Sequence, residues 1–235
     1  LRIVFVIGSS RYFGGGNKFA ADLATGLSRE GFEVAICSLD TPVKGLSHEE
    51  LFEIEKWYIP KISWNLGKLY KIAFNLRSAL KKCVSDFKPD VIVGATIEPG
   101  ALLVSGVKKI QYVHFPTEAK TYEHSLRHEL YRSFYWWIHY KAIANMDVLV
   151  CNSNFTREFC YLLWGKIEPN PSKYVVIYPC VDVEAFSKER GRERKVCYVG
   201  RIDGKKGIDM VLDAFLEVKK KIPEASLEIK GGVKG

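Results

Sequence analysis

Three features of the 235-residue sequence predict an α/β fold with two Rossmann-like domains. Apolar runs at 2–9, 89–96, 110–115 and 147–151 lack polar alternation, as strands buried on both faces do. The first forty residues read as strand, helix, strand: Phe19, Ala20, Leu23, Ala24 and Leu27 share one helical face between runs at 2–9 and 33–39. Finally, S-K-E-R-G-R-E-R-K at 187–195 has no apolar residue and reads as a linker. It divides a complete domain at 1–186 from a second unit at 196–235, which holds only its first βαβ unit. A lone βαβ unit cannot bury its sheet faces, so further strands are expected to complete it.

Along the first domain, S-R-Y-F-G-G-G at 10–16 forms a loop, and Asn17 is the expected helix cap. Gly14, Gly15 and Gly16 suit a backbone that lets phosphate or sugar approach closely. They do not make a dinucleotide fingerprint. Gly31 ends the helix. A short strand is expected at 51–59. From Lys56 to Ser85 no acidic residue occurs, while Lys56, Lys61, Lys68, Lys71, Arg77, Lys81 and Lys82 are basic and Trp57, Tyr58, Trp64, Tyr70 and Phe74 lie between them. Two readings stand: a basic, aromatic membrane-facing surface, or an ordinary amphipathic helix whose stripe (Leu66, Leu69, Ala73, Leu76, Leu80, Cys83) packs on the sheet. Glu98 follows the strand at 89–96. His114 ends the strand at 110–115, on the same rim as the glycine loop. A long aromatic helix is expected at 122–145, with Tyr122, His124, Arg127 and His128 near its start as acceptor-groove candidates. After the strand at 147–151, Asn152 and Ser153 open a capped helix at 154–163. Another strand follows at 174–178.

A net charge of +8 and a pI near 9.1 favour acidic partners. No nucleic-acid motif accompanies the charge. No apolar run is long enough to span a bilayer, and no secretory leader is read at the N-terminus. Six dispersed cysteines without a C-x-x-C pair argue against a zinc site and for a reducing, cytoplasmic setting.

The segment K-V-C-Y-V-G-R-I-D-G-K-K-G at 195–207 reads as strand, loop, then a helix faced by Ile208, Val211, Leu212, Phe215 and Val218. Arg201, Lys205 and Lys206 lie in the loop, beside the unpaired N–H groups of a helix start. This suits a phosphate-bearing ligand, most simply a nucleotide diphosphate.

V-G-R-I-D-G-K-K-G-I-D-M-V-L-D-A-F resembles the start of the second domain in the family-4 retaining glycosyltransferases of the GT-B fold. Y-V-H-F-P at 112–116 is similar to the H-[FY]-P segment of archaeal and eukaryotic mannosyltransferases that extend lipid-linked oligosaccharides. Y-P-C-V-D at 178–182 is similar to the family's P-x-G-V-D, with Cys180-Val181 where the glycine stands. The resemblance implies that Arg201 and Lys206, with Lys205, hold the donor diphosphate. It implies that His114 contacts the donor sugar as the catalytic-site residue, and that Gly14, Gly15 and Gly16 face the cleft. Asn152, Ser153 and Glu98 become acceptor or cleft candidates. The expected reaction moves a hexose, mannose favoured, from a GDP- or UDP-linked sugar to an acceptor with retention, without cofactor or metal. The expected partners are the nucleotide sugar, a lipid-linked acceptor and an anionic membrane surface at the inner face, with no nucleic acid. The family's E-x7-E carboxylate pair falls outside these residues, so this piece alone is expected to lack full activity. Alternatives from the residues are a nucleotide-sugar epimerase of the same fold and a non-catalytic phosphate- or membrane-binding module.

Overall fold

The computed structural model describes residues 1–11, 14–60, 71–95, 102–116, 126–181, 183–186, 194–200, 202 and 206–232, without the side chains of 71–73, 126–132 and 185–186. The chain divides into two compact units, Leu1–Cys180 and Val181–Gly235. Of the predicted linker, residues 187–193 lie outside the described residues.

The first unit is built on a seven-stranded parallel sheet ordered β3-β2-β1-β4-β5-β6-β7. The strands are β1 (Arg2–Val6), β2 (Glu33–Cys37), β3 (Lys56–Tyr58), β4 (Val91–Gly94), β5 (Lys108–Val113), β6 (Val148–Cys151) and β7 (Tyr174–Val176). Helices α1 (Gly15–Arg29), α2 (Arg77–Phe87), α3 (Leu126–Ala144) and α4 (Asn154–Trp164) cover it. β4 and residues 3–6 of β1 are apolar because both faces are buried. Val4 and Val6 pack with α2 residues Ala79, Leu80, Cys83 and Phe87 on one side. Ile3, Phe5 and Ile7 pack with α1 residues Ala20, Ala21 and Ala24 on the other. The described part of the 66–83 stripe is therefore core: Leu76, Leu80 and Cys83 are fully buried, while Leu66 and Leu69 lie outside the described residues. A π-helical turn, Lys71–Leu76, leads into α2.

Local details correct two expectations. Asn17 does not cap α1. The helix starts three residues earlier with Gly14 as N-cap, and Asn17 instead donates from Nδ2 to the Ser9 carbonyl at 2.8 Å. At 51–59 a single strand is replaced by a 3-10 turn, Glu49–Glu53, and then β3. Leu51 and Ile54 bury into one cluster, and their spacing of three suits a helical turn rather than a strand. The C-terminal end of α1 follows expectation. Gly31 takes φ 89°, and the N–H groups of Gly31 and Phe32 donate to the carbonyls of Ser28 and Leu27, the Schellman pattern.

The second unit contains α5 (Val183–Phe186), β8 (Lys195–Val199), α6 (Ile208–Lys221) and β9 (Ser226–Lys230), with β8 and β9 paired in parallel. No α6 residue is buried. Among the described residues, no helix is long and apolar enough to cross a membrane.

Candidate functional site

In an open parallel sheet, ligands sit outside the carboxyl ends of the strands where the strand order reverses. Here the reversal lies between β1 and β4, since the chain fills β2 and β3 on one side and β5 to β7 on the other. The loop leaving β1 is held by one carboxylate. Asp40 accepts from Ser9 Oγ at 2.6 Å, from Ser10 N–H at 2.7 Å and from Ser10 Oγ at 2.8 Å. Sequence reasoning missed Asp40. The signal was there in the register: Val6 pairs with Cys37, so Ser9 and Asp40 each stand three residues past a matched pair.

This clamped loop delivers the chain to α1. Gly14 is exposed and extended, α1 has no side-chain cap, and no acidic residue lies in its first turn. Gly15 and Gly16 lie within the helix rather than in a loop. Cβ atoms on Gly14 or Gly15 would meet nothing within 4 Å. Neither packing nor backbone angle demands glycine at Gly14, so its lack of a side chain leaves open space beside the helix start, the positive end of the helix dipole.

His114 follows β5 and is half-buried. Its Nε2 lies 2.9 Å from the Ala95 carbonyl oxygen, just past β4. Phe19 of α1 meets its ring edge-on at 5.4 Å, and Tyr112 stacks on Phe19 at 4.0 Å. Burial pushes the imidazole below its ordinary value of 6.5, and the Ala95 bond offsets this only in part. A neutral ring that donates from Nε2 to a carbonyl presents Nδ1 as an acceptor. Asn152 fixes the backbone here: its Nδ2 donates to the His114 carbonyl at 2.7 Å, and its Oδ1 accepts from Thr156 Oγ1 at 2.6 Å. Ser153 is the N-cap of α4, accepting from the Thr156 N–H at 3.1 Å. The structure thus brings His114, Asn152, Ser153 and, through Phe19, the glycine-led start of α1 to one sheet edge. Asn152 and Ser153 spend their polar atoms on holding that edge. Glu98, Tyr122 and His124, and the side chains of Arg127 and His128, lie outside the described residues.

In the second unit the predicted strand and helix are present. Beyond β8, Gly200 N–H donates to the Lys230 carbonyl and Ile202 N–H to the Gly232 carbonyl. A Cβ on Gly231 would run into the Gly200 carbonyl oxygen, so the two backbones touch. Lys206 is exposed immediately before Gly207, which caps α6 at φ 65°. That left-handed angle favours glycine. Arg201 and Lys205 lie outside the described residues. Among the described residues, no group of three or more His, Cys, Asp or Glu stands where it would hold a metal ion.

Comparison with known proteins adds three findings. The family model described as Glycosyltransferase Family 4 matches residues 13–185. The alpha-1,3/1,6-mannosyltransferase ALG2 of Candida glabrata is 26% identical over 245 residues, covering 93% of this chain and 52% of that protein. The Saccharomyces cerevisiae ALG2 is 24% identical over 244 residues, covering 93% and 48%. The chain thus spans about half the length of these curated relatives. Among solved structures, Anabaena HepE in complex with UDP and glucose superposes with a TM-score of 0.65 at 15% identity, over 99% of this chain and 61% of that one. Sucrose-phosphate synthase from Thermosynechococcus elongatus gives 0.64 at 16% identity, over 98% and 62%. These likenesses show the fold, that of the GT-B glycosyltransferases.

Proposed function

Because the chain belongs to Glycosyltransferase Family 4, we propose that it is the acceptor-side domain and the start of the donor domain of a retaining hexosyltransferase. The favoured sugar is mannose, supported by likeness to ALG2 mannosyltransferases over 93% of the chain. The observation that carries the reading is His114, held neutral at the carboxyl edge of β5 beside the uncapped start of α1. Its Nδ1 accepts a hydroxyl of the donor hexose. Lys206, with Arg201 and Lys205, neutralises the diphosphate of a GDP- or UDP-linked donor: Arg by a planar fork, Lys as a point charge. Charge stabilisation of this kind does the work that a metal does elsewhere. As the bond from the anomeric carbon to the diphosphate oxygen breaks, the acceptor hydroxyl oxygen bonds that carbon from the same face. Its proton passes to the departing diphosphate. No side-chain nucleophile takes part. The acceptor is a lipid-linked sugar.

The test is calorimetric titration of the natural full-length protein with GDP and UDP, followed by donor profiling. Submillimolar binding of one nucleotide is expected, with Arg201→Ala and Lys206→Ala each weakening it by about 10- to 100-fold, as loss of a charged hydrogen bond does. No binding at millimolar nucleotide, or binding indifferent to both variants, refutes the assignment. Interconversion of nucleotide sugars without an acceptor would instead mark an epimerase.

A further inference from the structure

Helix α3 turns Ile138, Ala142 and Ile143 into the core. The flank beside that stripe should be polar where it meets water. Instead Phe134 and Trp137 stand 45% and 52% exposed. Their rings stack at 5.9 Å, and Lys141 Nζ lies 4.2 Å from the Trp137 ring centroid. The spacing 134, 137, 141 keeps all three on one face. Across from them stand Phe74, 52% exposed, and Arg77, at the start of α2. Between these walls runs a groove of about 460 Å³, floored by Leu103, Val104 and Ser105.

Its charge is of one sign. No acidic residue lines the groove, and neither Arg77 nor Lys141 forms an ion pair among the described residues. Arg77 spends Nε on the Leu103 carbonyl at 2.7 Å, which aims a rigid guanidinium along the rim. The acid-free block at 56–85 only partly supplies this surface. Trp57 and Tyr58 are half-buried on β3 and pack on the two core clusters. Lys56 pairs with Glu33, and Lys82 with Asp86. Those four residues are used by the fold, which corrects the reading of the whole block as membrane-facing. Phe74 and Arg77 remain, and α3 completes the patch.

We propose that the groove between α2 and α3 is where this chain docks on an anionic phospholipid bilayer. Unpaired cations select an anionic surface. Paired aromatic rings select one with an apolar layer just beneath its charge, where Trp and its neighbours favour the boundary. A bilayer rich in anionic head groups offers both within one side-chain length. Because no described helix is built to cross a membrane, the contact is interfacial. The proposal extends the lipid-linked acceptor reading without depending on it, since the surface stands whatever the protein catalyses.

The experiment is co-sedimentation of the full chain with vesicles of phosphatidylcholine, alone or with phosphatidylglycerol, at low and high salt. Binding is expected only with phosphatidylglycerol and should weaken with salt. The pair Arg77→Gln/Lys141→Gln should lower it by about 30-fold, the product of two cations near an anionic leaflet. The pair Phe134→Ser/Trp137→Ser should lower it by at least about tenfold by removing the inserted apolar area. All four residues lie on the surface groove, and a matched thermal melt checks each variant's fold. Should the Trp137 pair fold poorly, Lys141→Glu alone reports on the same face. Absence of binding to anionic vesicles at low salt overturns the proposal, as does binding indifferent to both pairs. Equal binding to neutral vesicles, or a dimer that Phe134→Ser/Trp137→Ser dissolves, overturns it in favour of another occupant. Nucleotide titration of the same variants should be unchanged, which separates this result from the fate of the transferase assignment.

Discussion

Both units set a helix against parallel strands, yet one closes a core and the other does not. In the first, Leu149 on β6, one strand in from the edge of a seven-stranded sheet, is fully buried. In the second, two strands meet one helix, and Leu216 and Val199 stay 59% and 77% exposed. The same βαβ unit is therefore a finished layer when strands flank it and an open face when they do not. The candidate groups divide along this line. His114 and Asn152 are fixed by a closed core, whereas Lys206 sits on a unit whose apolar faces still meet solvent.

The widest break in this contrast comes from paired truncations. Leu149→Ala should cost about 2–5 kcal/mol in chemical denaturation, the range for a buried leucine, whereas Leu216→Ala should stay within about 0.5 kcal/mol. Equal costs would mean that the second unit's helix is covered after all, and the contrast would fall. Next is the clamp on the β1 loop. Asp40→Ala strands the buried Ser10 N–H, while the Ser10 hydroxyl keeps the main-chain carbonyl of residue 40 at 3.1 Å, and should cost about 1–3 kcal/mol, with Asp40→Asn recovering part of it. A loss below about 0.5 kcal/mol would show that the loop holds without its carboxylate.

A smaller effect belongs to His114. Its folded value is held below 6.5 by burial, so the unfolded chain takes up the proton first as pH falls. Stability should therefore be level above about pH 6.5, fall as pH drops below it, and level off once the folded ring also protonates. His114→Asn should flatten this part of the profile; an unchanged slope would place the titration elsewhere. The smallest change is expected at Gly15, inside α1 with open space around a would-be Cβ. Gly15→Ala should raise stability by up to about 1 kcal/mol while weakening ligand binding at this edge. If binding is untouched, the glycine serves only the helix start.

How much of this could be read from the chain depended on which faces were buried. β1 was legible because Val4 and Val6 go into one core and Phe5 and Ile7 into the other, leaving an unbroken apolar run. The strand, loop and helix around Gly200 were legible from spacing, and the family that this spacing and H-F-P suggested is borne out. Helix starts were harder. Asn17 is the better intrinsic cap, yet the Ser9 carbonyl claims its amide, a tertiary bond that local preference does not register. Asp40 was missed for a related reason, since its three donors come from another strand's exit and only the strand register brings them together. The aromatic helix itself was legible, but only the fold shows that Ile138 and Ala142 go inward while Phe134 and Trp137 stand exposed.

One small contact sets a limit on variation. Where β8 and β9 end, Gly200 and Gly231 press main chain on main chain, with no side chain between them to swap or trim. The meeting of the two strand ends is therefore set by peptide geometry. A single carbon added at Gly231 would strike the Gly200 carbonyl oxygen and pry the two strand tips apart, whereas one added at Gly200 would meet only the ring of Tyr198, which can move.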